Sequence, residues 1–426
     1  MTLRRLAAAV AACGPLAAAA PALAEQASFS DEQNTGYWTT AMDAECVARA
    51  RARLAAGDAE LAPALQALRR EADACMPQGP FTVMDKTAVP PSGDKHDYLS
   101  FGPYWWPDPA KKDGLPYVRR DGEVNPQSVG SGSDRVALER MASAVETLAL
   151  AGYLSGERTY AARAGRLLAA WFLDPATAMH PHLTYGQAIP GICEGRGIGI
   201  IETRRFLQVV NAVGLLEGTD ALTAGQHTAL RTWFRDYLQW LLESAPGKAE
   251  SRERNNHGTW YDAQVACLAR FTGMRELAAR VLEEARKSRL MAQVSPGGQQ
   301  RLELARTRAF TYSLINLSGL LALAELGRQE GVDYWSVPSA GQSLLCQAVD
   351  YVGVCSDPQK PWPHAQITEL NRLYLCPALC QAALRTRDPK YLALLAQLPK
   401  EATASGRARL LWPGDAGAEP QAHPSP

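Results

Sequence analysis

The stretch Tyr160-Ala161-Ala162-Arg163-Ala164-Gly165-Arg166-Leu167-Leu168-Ala169-Ala170-Trp171 sets the fold class of this chain. Tyr160, Ala164, Leu167, Leu168 and Trp171 recur at the spacing that places side chains on one face of a helix. Just upstream, Leu138, Met141, Val145 and Leu148 repeat the pattern, with Asp134 placed to cap the start and Gly152 near the end. Further amphipathic segments lie at about 43–73, 198–217, 222–244, 258–272, 274–288, 308–327, 339–352, 366–384 and 388–398. Strand-like alternation is scarce. Many moderate helices, paired in sequence and joined by loops, predict an all-α fold of helical hairpins closed into an (α/α) toroid or barrel. No strict sequence repeat runs through the chain, which argues against an open solenoid.

Composition narrows the function classes. The 426 residues carry 44 basic and 44 acidic side chains, so the basic excess of a general nucleic-acid binder is missing. A local cluster of arginines can still make a basic cleft on a neutral protein. The N-terminus has the form of an export signal: Arg4 and Arg5, an Ala-rich apolar run from Leu6 to Ala20, and the small-residue site Ala22-Leu23-Ala24 before Glu25. This predicts a signal peptide over 1–24, one toroid domain over 25–412, a disordered tail over 413–426, and a periplasmic or secreted location. No membrane association is expected unless Cys13 is lipidated, since Val10-Ala11-Ala12-Cys13-Gly14 also resembles a lipobox, with a short apolar stretch before it. Export permits disulfides, and Cys46–Cys75, Cys346–Cys355 and Cys376–Cys380 are candidate pairs, whereas Cys267 lies in an apolar helical run and reads as a buried thiol.

Two long stretches, about 77–130 and 174–197, interrupt the helices, and long ordered loops on a helical scaffold commonly carry function. The first holds His96, and Tyr104, Trp105 and Trp106 beside prolines, either a stacking platform for sugar rings or the aromatic plug of a loop core. The second holds His180-Pro181-His182, Tyr185, Glu194 and Arg196. The two histidines resemble half a metal site without a third ligand at fixed spacing, so no metal is expected. Arg196 either pairs with Glu194 or faces a substrate carboxylate.

The run Arg254-Asn255-Asn256-His257-Gly258-Thr259-Trp260-Tyr261-Asp262 gathers amides, an imidazole, an indole and a phenol where a helix begins. Capping explains one asparagine and leaves the rest of the run unexplained. Free N–H groups at a helix start favour a bound anion, and Trp260 and Tyr261 are candidate sugar contacts. Downstream, Glu303-Leu304-Ala305-Arg306-Thr307-Arg308-Ala309-Phe310-Thr311-Tyr312-Ser313 puts Arg308 and Tyr312 four residues apart, on one face if the helix begins near Arg306. A phenol beside guanidinium groups is expected to have a lowered pKa, and the alternative is a buried tyrosine with a satisfied hydroxyl.

Together, Asp94-Lys95-His96-Asp97-Tyr98, Tyr104-Trp105-Trp106-Pro107-Asp108-Pro109, Ala188-Ile189-Pro190-Gly191-Ile192-Cys193-Glu194-Gly195-Arg196-Gly197, the Asn255–Asp262 run and Leu304-Ala305-Arg306-Thr307-Arg308 with Tyr312-Ser313 resemble the alginate lyase domain, and within it polysaccharide lyase family 38. The resemblance covers roughly residues 80 to 385. It implies an (α/α) toroid that cleaves 1,4-linked uronic acid polymers, mannuronate-rich alginate or β-glucuronan, by cofactor-free β-elimination. It also places the family's asparagine–histidine pair on Asn256 and His257, its arginine on Arg306 and its tyrosine on Tyr312. In that chemistry, donors from Asn256 and Arg306, assisted by His257, neutralise the uronate carboxylate so that H5 can leave. Tyr312 then serves as base and as acid, with His257 the rival base. His96, Tyr104, Trp105, Trp106, His182, Tyr185, Arg196, Trp260, Tyr261 and Arg308 are the expected substrate contacts. A two-carboxylate (α/α)-barrel glycoside hydrolase and a non-catalytic glycan-binding protein are the alternatives.

Overall fold

Helices follow one another along nearly the whole of the computed structural model, which describes residues 42–400, 403 and 406–414. These all belong to one unit of the chain, 37–426. The export signal, the lipobox at Cys13 and all but the first two residues of the tail lie outside the described residues. Within them, Gly414 at the start of the tail is held, its carbonyl accepting from Arg53 Nη1 at 2.7 Å.

In chain order the helices are α1 (Ala44–Ala55), α2 (Ala62–Cys75), α3 (Arg135–Ser155), α4 (Arg158–Phe172), α5 (Phe206–Leu215), α6 (Ala224–Glu243), α7 (Ala245–Glu250), α8 (Asn256–Phe271), α9 (Arg275–Ala285), α10 (Arg301–Leu304), α11 (Ala309–Glu330), α12 (Leu344–Gly353), α13 (Cys376–Thr386), α14 (Pro389–Leu395) and α15 (Ala408–Leu411). Neighbours pack as hairpins. α3 turns on Gly156, in the left-handed conformation at φ 74°, and lies against α4. α8 likewise packs on α9, and α11 lies against α8. The architecture is the (α/α) toroid expected from the helical periodicity.

Several boundaries differ from the expected ones. The segment 43–73 is two helices, broken where Asp58 accepts from the backbone N–H groups of Glu60 and Leu61. The first half of 198–217 is a 3-10 helix, Gly197–Arg205. Residues 366–371 of the segment 366–384 form a loop whose Gln366 accepts from Phe310 N–H, so a helix forms only after Asn371 caps the turn that follows. The 22-residue α11 is apolar enough to cross a membrane by length and composition, yet it is mostly buried and serves as the core helix. Its Gly319 lets α8 approach, since a Cβ there would stand 2.9 Å from Thr259 Cγ2.

Short strands pin the two long loops. β1 (Leu99–Phe101) pairs in parallel with β4 (Tyr185–Ala188), and β2 (Trp105–Trp106) pairs antiparallel with β3 (Val118–Arg119); β5 (Pro338–Ser339) and β6 (Gln342–Ser343) form a hairpin elsewhere. The disulfides considered from sequence do not form. All eight cysteines among the described residues are free thiols, and the Sγ atoms of Cys376 and Cys380 stand 3.9 Å apart, far beyond a bond.

Candidate active site

Two helix N-termini and two pinned loops meet around a cleft of about 440 Å³. α8 delivers Asn256 and His257 from its first turn, and α11 delivers Arg308 and Tyr312 from its own. The first-turn N–H groups of Asn256, His257, Ala309 and Phe310 are already bonded to Glu303, Asn255, Ala365 and Gln366, so what the two starts offer an anion in the space between is their dipoles rather than the free N–H donors expected from the sequence. Trp105 of β2 and Tyr104 just before it come from one loop, and the stretch after β4 adds Arg196. Six arginines line the cleft, Arg119, Arg135, Arg196, Arg204, Arg306 and Arg308, and no carboxylate stands among the lining residues. The cost of crowding them shows at Arg204, whose guanidinium is brought down to about 10 by burial and by neighbouring Arg205 and Arg135. Nη1 of Arg135 and Nε of Arg308 are buried donors without a hydrogen-bond partner among the described residues. A cleft this cationic is built for a polyanion.

The Asn256–His257 half rests on two buried acids that sequence reading did not single out. Glu303 accepts the backbone N–H of Asn256 at 2.7 Å and its side-chain Nδ2 at 2.9 and 3.1 Å. Glu250, at the end of α7, lies 2.7 Å from Nδ1 of His257, which fixes the imidazole and leaves Nε2 for the cleft. Burial raises the pKa of both acids above the usual carboxylate range. This corrects the expected role of Asn256 in the unliganded form: its amide donors are committed to Glu303, and its Oδ1 is the buried atom left without a partner.

The Arg306–Tyr312 half is held by loop side chains. Arg306 sits in the turn before α11, with its guanidinium 3.8 Å from the centre of the Tyr312 ring. Asp121, from the loop after β3, grips Arg306 side-on, with Nη2–Oδ1 at 2.7 Å and Nε–Oδ2 at 3.2 Å. Burial pushes the Asp121 carboxyl up, but hydrogen bonds and charge from Arg306, with help from Thr307, outweigh it and hold it at about 2. The Tyr312 hydroxyl lies 2.6 Å from that of Tyr104. The lowered pKa expected of Tyr312 is not found: burial, reinforced by Tyr104, raises it despite Arg306. The helix begins at Ala309 rather than near Arg306, so Arg308 is its flanking residue, and its carbonyl accepts from Tyr312 N–H at 3.0 Å.

The remaining expected contacts divide sharply. Trp105 and Arg196 line the cleft, and Arg196 bonds Gln187 through its Nη2 at 2.8 Å, with no ion pair to Glu194. Gln187 itself takes a left-handed φ of 50°, a strained backbone at the cleft wall. Trp106 points away, its Nε1 donating to the Glu123 carbonyl at 3.0 Å, with Arg120 over its ring. Trp260 and Tyr261 are corrections too. Their Nε1 and hydroxyl donate to the carbonyls of Ile315 and Leu241, so they join helices rather than contact sugar. Gly258 is demanded by packing, since a Cβ there would stand 2.0 Å from the Glu253 carbonyl. Tyr185 starts β4 outside the cleft, and His96 and His182 belong to a separate cluster with Asp97 and His180.

The alginate lyase family model matches residues 82–362, which spans the helices and loops that build this cleft. The chain belongs to the alginate lyase family. A structure of an alginate lyase from Bacteroides ovatus is 39% identical, with a TM-score of 0.83 over 88% of this chain and 99% of that one. Alginate lyase A1-III from Sphingomonas species A1 matches at 16% identity and a TM-score of 0.54, over 88% of this chain and 95% of that one. A variant of A1-III complexed with a tetrasaccharide matches at 17% identity and a TM-score of 0.58, over 91% of this chain and 97% of that one. At those identities the likeness is one of fold. No curated protein matches. As an alginate lyase family member, this chain is a polysaccharide lyase, and the two-carboxylate hydrolase has no carboxylate in the cleft lining to support it.

Proposed function

We propose that this lyase cleaves a 1,4-linked polyuronate, mannuronate-rich alginate or β-glucuronan, by syn β-elimination, with the Tyr312 hydroxyl as both base and acid. The observation that carries the proposal is a tyrosine hydroxyl beside a guanidinium, in a cleft lined by six arginines and no carboxylate. The uronate carboxylate docks against Arg306 and Nε2 of His257, which hold the negative charge that grows on it as H5 departs. In β-mannuronate and β-glucuronate, H5 and O4 share a face, so one group reaches both. As the phenolate form of Tyr312 arises, the adjacent Arg306 screens it and favours the charged form. The phenolate takes H5, the electrons move to close the C4–C5 double bond, and the phenol returns its proton to O4 as the glycosidic bond breaks. Arg196, Arg119 and Trp105 hold neighbouring sugars by charge and stacking. The N-terminal signal pattern supports action outside the cytoplasm, where such polymers occur.

The test is an ultraviolet absorbance assay across polymannuronate, polyguluronate, glucuronan and glycosaminoglycans. A rising unsaturated uronide signal on a β-linked, syn-disposed polymer is the expected result. Reducing ends without that chromophore, or preference for polyguluronate, would sink the syn assignment. Because Tyr312 rests protonated, the rate is expected to climb as pH rises from neutral.

A further inference from the structure

The loops that lead into β1 and β4 bring together three side chains that the cleft does not use. Asp97 Oδ1 stands 2.7 Å from Nδ1 of His180 and 3.0 Å from Nε2 of His182, and the three atoms lie within 4.8 Å of one another. From this geometry we infer that Asp97, His180 and His182 form a binding site for a zinc-class divalent ion, with a fourth position open to water.

The donor set, two imidazole nitrogens and a carboxylate oxygen, suits zinc and its late first-row neighbours. Ligand atoms about 2.0–2.2 Å from a tetrahedral ion stand roughly 3.4 Å apart, so from their present 2.7 and 3.0 Å the ion needs His180 to retreat from Asp97 by about 0.7 Å and His182 by about 0.4 Å, shifts within reach of side-chain rotation. The site is already braced. Asp97 is buried, and its other oxygen accepts from the Ser92 hydroxyl at 2.6 Å. The His180 N–H donates to the His96 carbonyl at 3.0 Å, and the His96 ring bonds the Ala178 carbonyl at 2.7 Å, lacing the two loops together. Such supporting bonds orient metal ligands. Burial keeps the pKa of His182 below the ordinary imidazole value, so at neutral pH its lone pair is available. His180 is half exposed, which gives the ion a route in and leaves its fourth position to solvent.

Without metal, both imidazoles direct N–H groups at one oxygen, so protons stand where the ion would. Binding therefore competes with protons. It also costs the 3.4 Å contact from Thr184 N–H to Nδ1 of His182, because that nitrogen must carry the proton once Nε2 ligates. At that length the bond is weak. The ion would tie the loops at the start of the parallel β1–β4 pair, whose far end carries Gln187 and its grip on Arg196. It touches no reacting atom, and its role is to brace that pair.

The test uses the full chain, freed of metal by a chelator and titrated near neutral pH. One equivalent of Zn²⁺ is expected to bind with a Kd of about 10 μM or tighter, measured by calorimetry, and to raise Tm by mass action. Co²⁺ should give tetrahedral visible bands without a thiolate charge-transfer band, which separates this site from the free cysteines. His180→Ala and Asp97→Asn should each weaken Zn²⁺ by at least about 10-fold, with circular dichroism confirming the fold. His180→Ala, at the half-exposed position, decides the matter if Asp97→Asn misfolds. Absence of stoichiometric Zn²⁺ binding, a thiolate band, or unchanged affinity in folded His180→Ala would overturn the inference.

Discussion

The two halves of the cleft are held in opposite ways. Asn256 and His257 stand on the first turn of α8 and are fixed from beneath by Glu303 and Glu250, each only 1% exposed. Arg306 and Tyr312 are fixed from the side, by Asp121 and Tyr104 reaching in from the first long loop. The first half is set by the folded core, and the second is completed only when that loop docks. A chemistry that needs a charge sink and a proton carrier can draw one donor of the sink, His257, from the rigid half, and the other, Arg306, together with the carrier from the clasped one.

The largest expected effect falls on the clasped half. Tyr312→Phe removes only the hydroxyl, and kcat should drop by about 10³-fold or more, since the group acts as base and as acid. Oligosaccharide affinity, measured by calorimetry, should change little. Near-normal turnover would move the proton transfer to His257 and reverse the division of labour.

In the rigid half the test is the contrast of Glu303→Gln with Glu303→Ala. Glutamine can accept the Asn256 backbone N–H through its oxygen and donate through its amide to the unpartnered Asn256 Oδ1. Asn256 Nδ2 would then turn toward the cleft, and much of the activity should survive. Alanine leaves Asn256 without an anchor and loosens the first turn of α8 that carries His257, and kcat should fall by about 10²-fold, the worth of one misplaced donor at a developing oxyanion. Equal loss in both variants would show that the Glu303 charge, rather than its hydrogen bonds, is what matters. Glu250→Gln should cost less, about 10-fold in kcat, because an amide can still receive the His257 proton but no longer complements an imidazolium. A change in KM alone would place His257 in binding only.

How much of this was legible beforehand follows the range of the interactions. The α3–α4 hairpin was readable because its apolar spacing is local, and Asn256, His257, Arg306 and Tyr312 because they sit in compact motifs. Trp260 and Tyr261 share that motif but serve packing, a distinction that depends on Ile315 and Leu241, which their own spacing does not reveal. Glu250, Glu303 and Asp121 were unreadable among 44 acidic residues, since Glu303 meets Asn256 across 47 positions and Asp121 meets Arg306 across 185. The cleft arginines at 119, 135 and 204 come from separate elements and converge only on folding.

The smallest effect should be at Asp121, and it separates clasp from chemistry. Its carboxyl is held at about 2, below its ordinary value of 3.8, so the stabilisation it gives is present above about pH 4 and lost as pH falls through 2. Between neutral pH and pH 5 the clasp is therefore constant, and any pH dependence of the rate there comes from other groups. Asp121→Asn keeps the oxygen that receives Arg306 but drops the charge, so Arg306 meets the substrate carboxylate less firmly placed yet less neutralised. These two consequences oppose each other, and KM and kcat should each move by less than about 5-fold, as for an ion pair whose two side chains are still 20% and 25% exposed. The sharper readout is acid unfolding. The wild type should lose Tm between pH 4 and 2 more steeply than the variant, whose side chain does not titrate. Parallel acid profiles, with a large fall in kcat, would mean that Asp121 acts on the reaction itself and that the clasped half has a second polar participant beside Tyr312.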